Sequence, residues 1–197
     1  MKKREVLVID DFLTPSYHNT LYNNITSANF PWRYIHNVTS VTADENEYGY
    51  GSFAFQHDII NYDRGQIIEG ISGHQGFLMP LLFQVKDITG ADNIIRARID
   101  STLYNPEKFM HGVHTDLPGL SHWSSVYYVN DSDGETIIFD AHEEDVRITE
   151  AELTPSNVKE IVKPKANRIV IFDGGFYHTG HSPSENKRRI IINSNYK

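Results

Sequence analysis

Cysteine is absent from the 197 residues. Neither a disulfide framework nor a thiolate metal site is therefore available, and any metal must be taken by histidine, aspartate or glutamate. Long apolar runs are missing as well. After Met1-Lys2-Lys3-Arg4 the stretch Val6-Leu7-Val8-Ile9 is stopped by Asp10-Asp11, too short for a signal-peptide core or a membrane span. A cytoplasmic location without membrane contact is expected, and triplets such as Asn37-Val38-Thr39 carry no weight as glycosylation sites. Basic residues are the minority, 18 Lys and Arg against 26 Asp and Glu, for a net charge of −8. Nucleic acid is not an expected partner, because phosphate contacts along a duplex need a basic surface. The short cluster Lys187-Arg188-Arg189 suits one small anion. There is no Gly-x-Ser-x-Gly elbow and no Gly-x-x-x-x-Gly-Lys loop, which removes the usual serine-hydrolase and phosphate-loop readings.

What is present is ordinary globular composition, 39% hydrophobic and 22% charged, in a chain long enough to enclose a core as one domain over residues 1–197. No repeat or Pro/Ser-rich linker divides it. Val6–Ile9 reads as a strand. Thr14-Pro15 reads as a helix start, with Pro where its missing N–H costs nothing, and Tyr17, Leu21 and Ile25 follow on one face. Residues 30–76 read as a loop-rich stretch with scattered aromatics. Phe77, Leu81, Leu82, Val85 and Ile88 mark a second helix ending near Gly90. From Asn93 the period changes to two: Ile95, Ala97 and Ile99 alternate with Arg96, Arg98 and Asp100. Further strands are expected at Ser124–Asn130, Thr136–Asp140, Arg168–Phe172 and Arg189–Tyr196, separated by Asn, Asp, Pro and Gly turn signals. The pattern predicts a mainly β fold, a double-sheet jelly roll, with helical support over about 1–92 and the β core over about 93–197.

The chemistry-bearing pattern is His114-x-Asp116. Residues two apart on extended chain share a face, so both side chains reach one ion. A distant histidine, His178, follows the strand Arg168–Phe172 and the turn Asp173-Gly174-Gly175. Two histidines and a carboxylate form a facial triad that leaves coordination positions open. The pair alone is a weak signal in a chain with ten histidines, and His142-x-Glu144 repeats it. His114 is preferred because it lies between β segments, whereas His142 and Glu144 fall in an acidic stretch expected to be a solvated loop. Arg189 opens the apolar run Ile190-Ile191-Ile192. An arginine facing into a β core is costly unless it meets an anion, and its planar fork suits a carboxylate. Either Arg188 or Arg189 faces inward.

Taken together, Tyr104, His114-Thr115-Asp116, Tyr127-Tyr128-Val129-Asn130, Phe172-Asp173-Gly174-Gly175, His178-Thr179-Gly180 and Arg189-Ile190-Ile191-Ile192-Asn193 resemble the 2-oxoglutarate/Fe(II)-dependent oxygenases, in particular the prolyl-hydroxylase-like group. Val8-Ile9-Asp10-Asp11-Phe12-Leu13 and Phe30-Pro31-Trp32 extend the resemblance over nearly the whole chain. It implies a double-stranded β-helix of cupin-like form and an Fe(II) dioxygenase that hydroxylates a C–H bond, such as that of a prolyl or other peptide side chain. It implies iron on His114, Asp116 and His178, and 2-oxoglutarate held by Arg189 with Tyr128 and Tyr104 at its pocket. O2 is the co-reactant and ascorbate an accessory reductant. His181 competes as the distal ligand, though it lies close to Arg189 for this family. Trp123 and His122, after the loop 117–121, are candidate substrate contacts, and a peptide, protein or small molecule is the expected substrate. Two other readings stand beside it: a cupin-like protein binding Zn or Mn without keto-acid chemistry, and a non-catalytic jelly-roll binding module. A buried Arg189 separates the oxygenase from the cupin-like reading, and a visible charge-transfer band with Fe(II) and 2-oxoglutarate separates it from the non-catalytic one.

Overall fold

A computed structural model describes residues 3–38, 52–63, 66–68, 72–145 and 157–197. Among these are eleven strands and two helices. β1 is Val6–Ile9, β2 Arg33–Ile35, β3 Ala54–Asp63, β4 Gln66–Ile68, β5 Ile94–Leu103, β6 Trp123–Tyr128, β7 Thr136–His142, β8 Val158–Val162, β9 Arg168–Asp173, β10 Phe176–Gly180 and β11 Arg188–Tyr196. The helices are α1, Pro15–Ile25, and α2, Gln75–Thr89. The large sheet runs β1-β9-β6-β11-β5-β3-β2, with β4 on β3, and the small sheet runs β10-β7-β8. All pairings are antiparallel. This is the expected mainly β double-sheet architecture with helical support.

Alternation along the strands of the large sheet builds two different faces. Outward, Ala97, Ile99, Tyr127, Ile169, Ile171, Ile190, Ile192 and Tyr196 pack against Leu21 and Ile25 of α1 and Leu78, Leu81, Leu82 and Val85 of α2. α1 begins with Pro15 in its first turn, and α2 stops at Gly90, whose φ of 70° is left-handed as glycine readily allows. The Tyr17 hydroxyl donates to the Phe77 carbonyl (2.9 Å), linking α1 to α2. Each fully buried aliphatic side chain here contributes about 1.5–3 kcal/mol. Inward, Val126, Tyr128, Val170, Phe172 and Ile191 meet Ile138, Val162 and Phe176 of the small sheet or its approach.

The stretch read as loop from 30 to 76 contains β3, a ten-residue strand paired with β5. A bulge between Asp58 and Ile60 breaks its alternation, leaving Ile59 and Ile60 both buried in succession. A period-two search passes over such a strand. The division at residue 92/93 is corrected as well: β1, expected as a strand, and β2 and β3, passed over as loop, complete the large sheet from the first half of the chain. Tyr48 and Tyr50, among the scattered aromatics of that stretch, lie outside the described residues.

Candidate metal centre

His178 lies on β10, and His114 lies on the connection between β5 and β6. The two form an isolated antiparallel bridge, with His114 N–H to His178 carbonyl 3.0 Å and the reverse bond 2.9 Å. That bridge brings the imidazole centroids to 4.6 Å. Asp116, two residues on, closes the group, and one donor atom from each of the three lies within 4.8 Å of the others. His114 Nε2 is 3.9 Å from Asp116 Oδ1 and His178 Nε2 is 3.8 Å from Oδ2. Each Nδ1 lies 3.0 Å from a carbonyl two residues back, that of Gly112 for His114 and of Phe176 for His178. A carbonyl only accepts, so both Nδ1 atoms carry the proton. Both Nε2 lone pairs are therefore directed to the shared space.

Asp116 is fixed by the large sheet. Its Oδ1 accepts from Arg96 Nη2 (2.5 Å), and its Oδ2 accepts from Ser124 Oγ (2.7 Å) and Asn195 Nδ2 (3.0 Å). Arg96 Nε in turn donates to Asn195 Oδ1 (2.7 Å). Burial works to raise the Asp116 carboxyl, but Arg96 together with His178, His114 and Arg98 outweighs it and holds the group well below its ordinary range. Burial pushes His114 down to about 4, opposed by Asp116 and the Gly112 carbonyl. Near neutral pH the set offers an ionised carboxylate and a neutral His114, whose imidazole nitrogen is a donor without prior proton loss. Two imidazole nitrogens and one carboxylate oxygen, with no sulfur, fit a non-haem Fe(II) centre. Their carbonyl and guanidinium partners are the outer contacts that orient such ligands.

Farther along the inner face, Arg189 sits opposite Thr102 on β5 and is 5% exposed. Its Nη2 donates to Thr136 Oγ1 (2.8 Å), which also accepts from the Tyr128 hydroxyl (2.7 Å). The guanidinium lies over the Tyr128 ring, 5.7 Å from the centroid. Among the described residues, Arg189 Nε is buried without a hydrogen-bond partner, and so are Thr102 Oγ1 and His111 Nδ1. His111 is pushed down to about 3 by burial, with Arg189 adding to the effect. A buried guanidinium without a carboxylate, beside orphaned polar atoms, is what an anionic occupant would satisfy. The one-position ambiguity resolves by register: Arg189 turns inward, while Arg188 is only half-buried.

Other sequence-derived candidates are placed differently. Tyr128 joins Arg189, but Tyr104 follows β5 and is 54% exposed, outside the buried set, because the chain leaves the sheet there. His122 is buried beside Asp116, its Nε2 3.3 Å from Ser124 Oγ. Trp123 packs against the helix-side core. Neither lines the cleft, which corrects their reading as substrate contacts. His142 is buried at the end of β7, its Nε2 3.2 Å from Asp173 Oδ1. The solvated loop expected there begins only with Glu144. His181 pairs with Met110 in a separate bridge and is not part of the triad. A Cβ on Gly174 would strike the His122 ring and one on Gly175 the His142 ring, so this turn requires glycine for space. Arg96, Ser124, Asn195, Thr136 and His111 were missed. The only available signal was the charged alternation Arg96-x-Arg98-x-Asp100, which an exposed sheet face would show equally.

A cleft of about 1350 Å³ opens beside His114 and Asp116, with Arg33, Tyr34, Gln56, Asp58, Arg96 and Arg98 on the large-sheet side and Pro118, Gly119, Glu143 and Tyr177 opposite. No described helix is long and apolar enough to cross a membrane.

No protein-family model matches the chain, and no curated protein matches it. Solved structures do. A 2OG-Fe(II) oxygenase family oxidoreductase from Burkholderia pseudomallei superposes with TM-score 0.64 at 12% identity, covering 97% of this chain and 85% of that one. A Pseudomonas putida prolyl-4-hydroxylase gives 0.59 at 14%, covering 98% and 93%. The alpha-ketoglutarate-dependent epimerase SnoN from nogalamycin biosynthesis gives 0.67 at 10%, covering 98% and 76%. The chain thus has the fold of the 2-oxoglutarate/Fe(II) oxygenases, the double-stranded β-helix.

Proposed function

We propose that the protein is a non-haem Fe(II)- and 2-oxoglutarate-dependent dioxygenase that hydroxylates a C–H bond. The observation that carries this reading is the pairing, in one inter-sheet space, of a two-His, one-Asp donor set with a buried guanidinium lacking a carboxylate partner. A metal-only jelly roll has no use for Arg189, and this disfavours the cupin-like reading.

His114, Asp116 and His178 would hold Fe(II). Arg189, Thr136 and Tyr128 would hold the distal carboxylate of 2-oxoglutarate, with His111 and Thr102 beside it. With both groups bound, O2 is consumed as 2-oxoglutarate is oxidised to succinate and carbon dioxide and a substrate C–H becomes C–OH. The chain's own part is positional. Arg96 and Asn195 fix the Asp116 carboxylate, the two carbonyl acceptors fix the imidazole tautomers, and Phe172, Val126 and Ile138 keep the wall beside the centre dry. Ascorbate would serve as accessory reductant. The substrate is a peptide or small molecule entering by the cleft. The prolyl-hydroxylase shape of one neighbour supports a prolyl side chain as the first candidate.

The test is anaerobic addition of Fe(II) and 2-oxoglutarate, watching for the weak visible charge-transfer band of the chelate. The wild type should show it, His114→Ala should not, and Arg189→Gln should need roughly 10- to 100-fold more 2-oxoglutarate. A wild type without the band, or an unchanged band in His114→Ala, would sink the assignment. Succinate release across peptides, amino acids and nucleosides then narrows the substrate.

A further inference from the structure

Arg96, Arg98 and Arg189 all project from the inner face of the large sheet, yet they are engaged very differently. Arg96 has all three nitrogens occupied, on Asn195 and Asp116. Arg189 lies toward the far end of the row and does not line the cleft. Arg98 uses only Nε, which donates to Asp100 Oδ2 (2.9 Å). Its two terminal nitrogens donate to nothing among the described residues, although its side chain is 17% exposed and lines the cleft together with His114 and Asp116.

The neighbouring carboxylates do not take up this capacity. Asp100 is held at Nε. Asp58, directly across from Arg98 on β3, is engaged by Arg33 (2.8 Å) and by Gln56. Arg33, the other cationic residue at the cleft apart from Arg96, is spent on Asp58 and has a side chain 65% exposed. The guanidinium of Arg98 is therefore oriented by Asp100 and presents its outer edge to the cleft. Two parallel N–H donors on a planar group match the two oxygens of a carboxylate.

We propose that Arg98 anchors a carboxylate of the substrate, so that the molecule oxidised is a carboxylic acid held by its acid group beside the metal centre. This deepens the proposed function, naming a substrate class for that site and an element distinct from the Arg189 anchor. The carboxylate belongs either to a free small acid or to a peptide, and the experiment separates the two.

The full chain, loaded anaerobically with Fe(II) and 2-oxoglutarate, is titrated with free L-amino acids and the corresponding amides, and with blocked peptides bearing a free or an amidated C-terminus. Perturbation of the visible band is the readout, and calorimetry on the metal-free chain gives a second readout independent of iron. At least one acid should bind, and its amide should need roughly 10- to 100-fold higher concentration. In Arg98→Gln the acid and the amide should bind within threefold of each other, with 2-oxoglutarate affinity unchanged. Arg98→Lys keeps a charge against Asp100 and should recover part of the preference, guarding against a folding defect in the glutamine variant. Free acids binding without peptides assigns a small-molecule substrate, and the converse assigns a peptide terminus; either supports the anchor. Acid and amide binding alike in wild type, no acid in the panel binding, or Arg98→Gln losing 2-oxoglutarate as Arg189→Gln does would overturn it. Absence of the visible band altogether counts against the oxygenase reading instead, and calorimetry then decides the anchor alone.

Discussion

On β11, Ile190, Ile192 and Tyr196 face the helices, while Arg189, Asn193 and Asn195 face the gap between the sheets. β5 repeats the division, with Ala97 and Ile99 outward and Arg96, Arg98, Asp100 and Thr102 inward. Both faces are largely buried, so exposure does not tell them apart. The helix-side face is sealed mainly by apolar contact, and its few polar groups pair with one another, as Tyr196 does with Ser194 and Tyr127 with Asn167. The inner face is a buried polar surface in which some groups satisfy one another, as Arg96 does with Asp116, and others, such as Arg189 Nε and Thr102 Oγ1, have no partner. The difference teaches that stability and chemistry are carried by alternate residues of the same strands, so changes one position apart should have separable consequences.

The sharpest break of that contrast is on the inner side. His178→Ala should abolish iron-dependent succinate formation while the chain stays folded, measured by turnover alongside circular dichroism. Persistent wild-type turnover would remove His178 from the centre. On the outer side, Ile192→Ala leaves a cavity under α2 and should cost about 2–5 kcal/mol, read by urea unfolding, with 2-oxoglutarate affinity within threefold of wild type. A loss of affinity matching the loss of stability would show that the faces are not independent. The most gradual effect, spread over several pH units, concerns the buried neutral His111, lowered to about 3 from 6.5. The unfolded chain takes up this proton first, so the associated stability is complete above about pH 6.5 and declines as pH falls toward 3. The slope from this residue is at most about 1.4 kcal/mol per pH unit. Urea midpoints for wild type and His111→Gln should converge across that range, and parallel curves would show that His111 is not the source.

Much of this arrangement was legible in the sequence because it follows short-range rules. Strict alternation revealed β5, and Thr14-Pro15 and Gly90 bounded the helices. His114-x-Asp116 with a later histidine after a Gly-Gly turn marked the donor set. What escaped depends on long-range geometry. The bulge in β3 concealed a central strand among polar residues. Arg96, Ser124 and Asn195 come from three strands that meet only in the folded sheet, so nothing local joins them to Asp116. Tyr104 and Tyr128 read alike as aromatics near the site, yet the end of β5 leaves one exposed and the pairing of β6 buries the other. His142 looked solvated because the acidic residues after it dominate the local composition, whereas its ring closes against Gly175 and Asp173.

The paired backbone hydrogen bonds between His114 and His178 tie the spacing of the two imidazoles to the peptide chain. A cation shared by these side chains has the separation of its nitrogen donors dictated by that bridge. Discrimination among divalent metals of similar charge is then exercised by the peptide chain, and softening that one bridge should broaden the range of ions accepted before it weakens the grip on any of them.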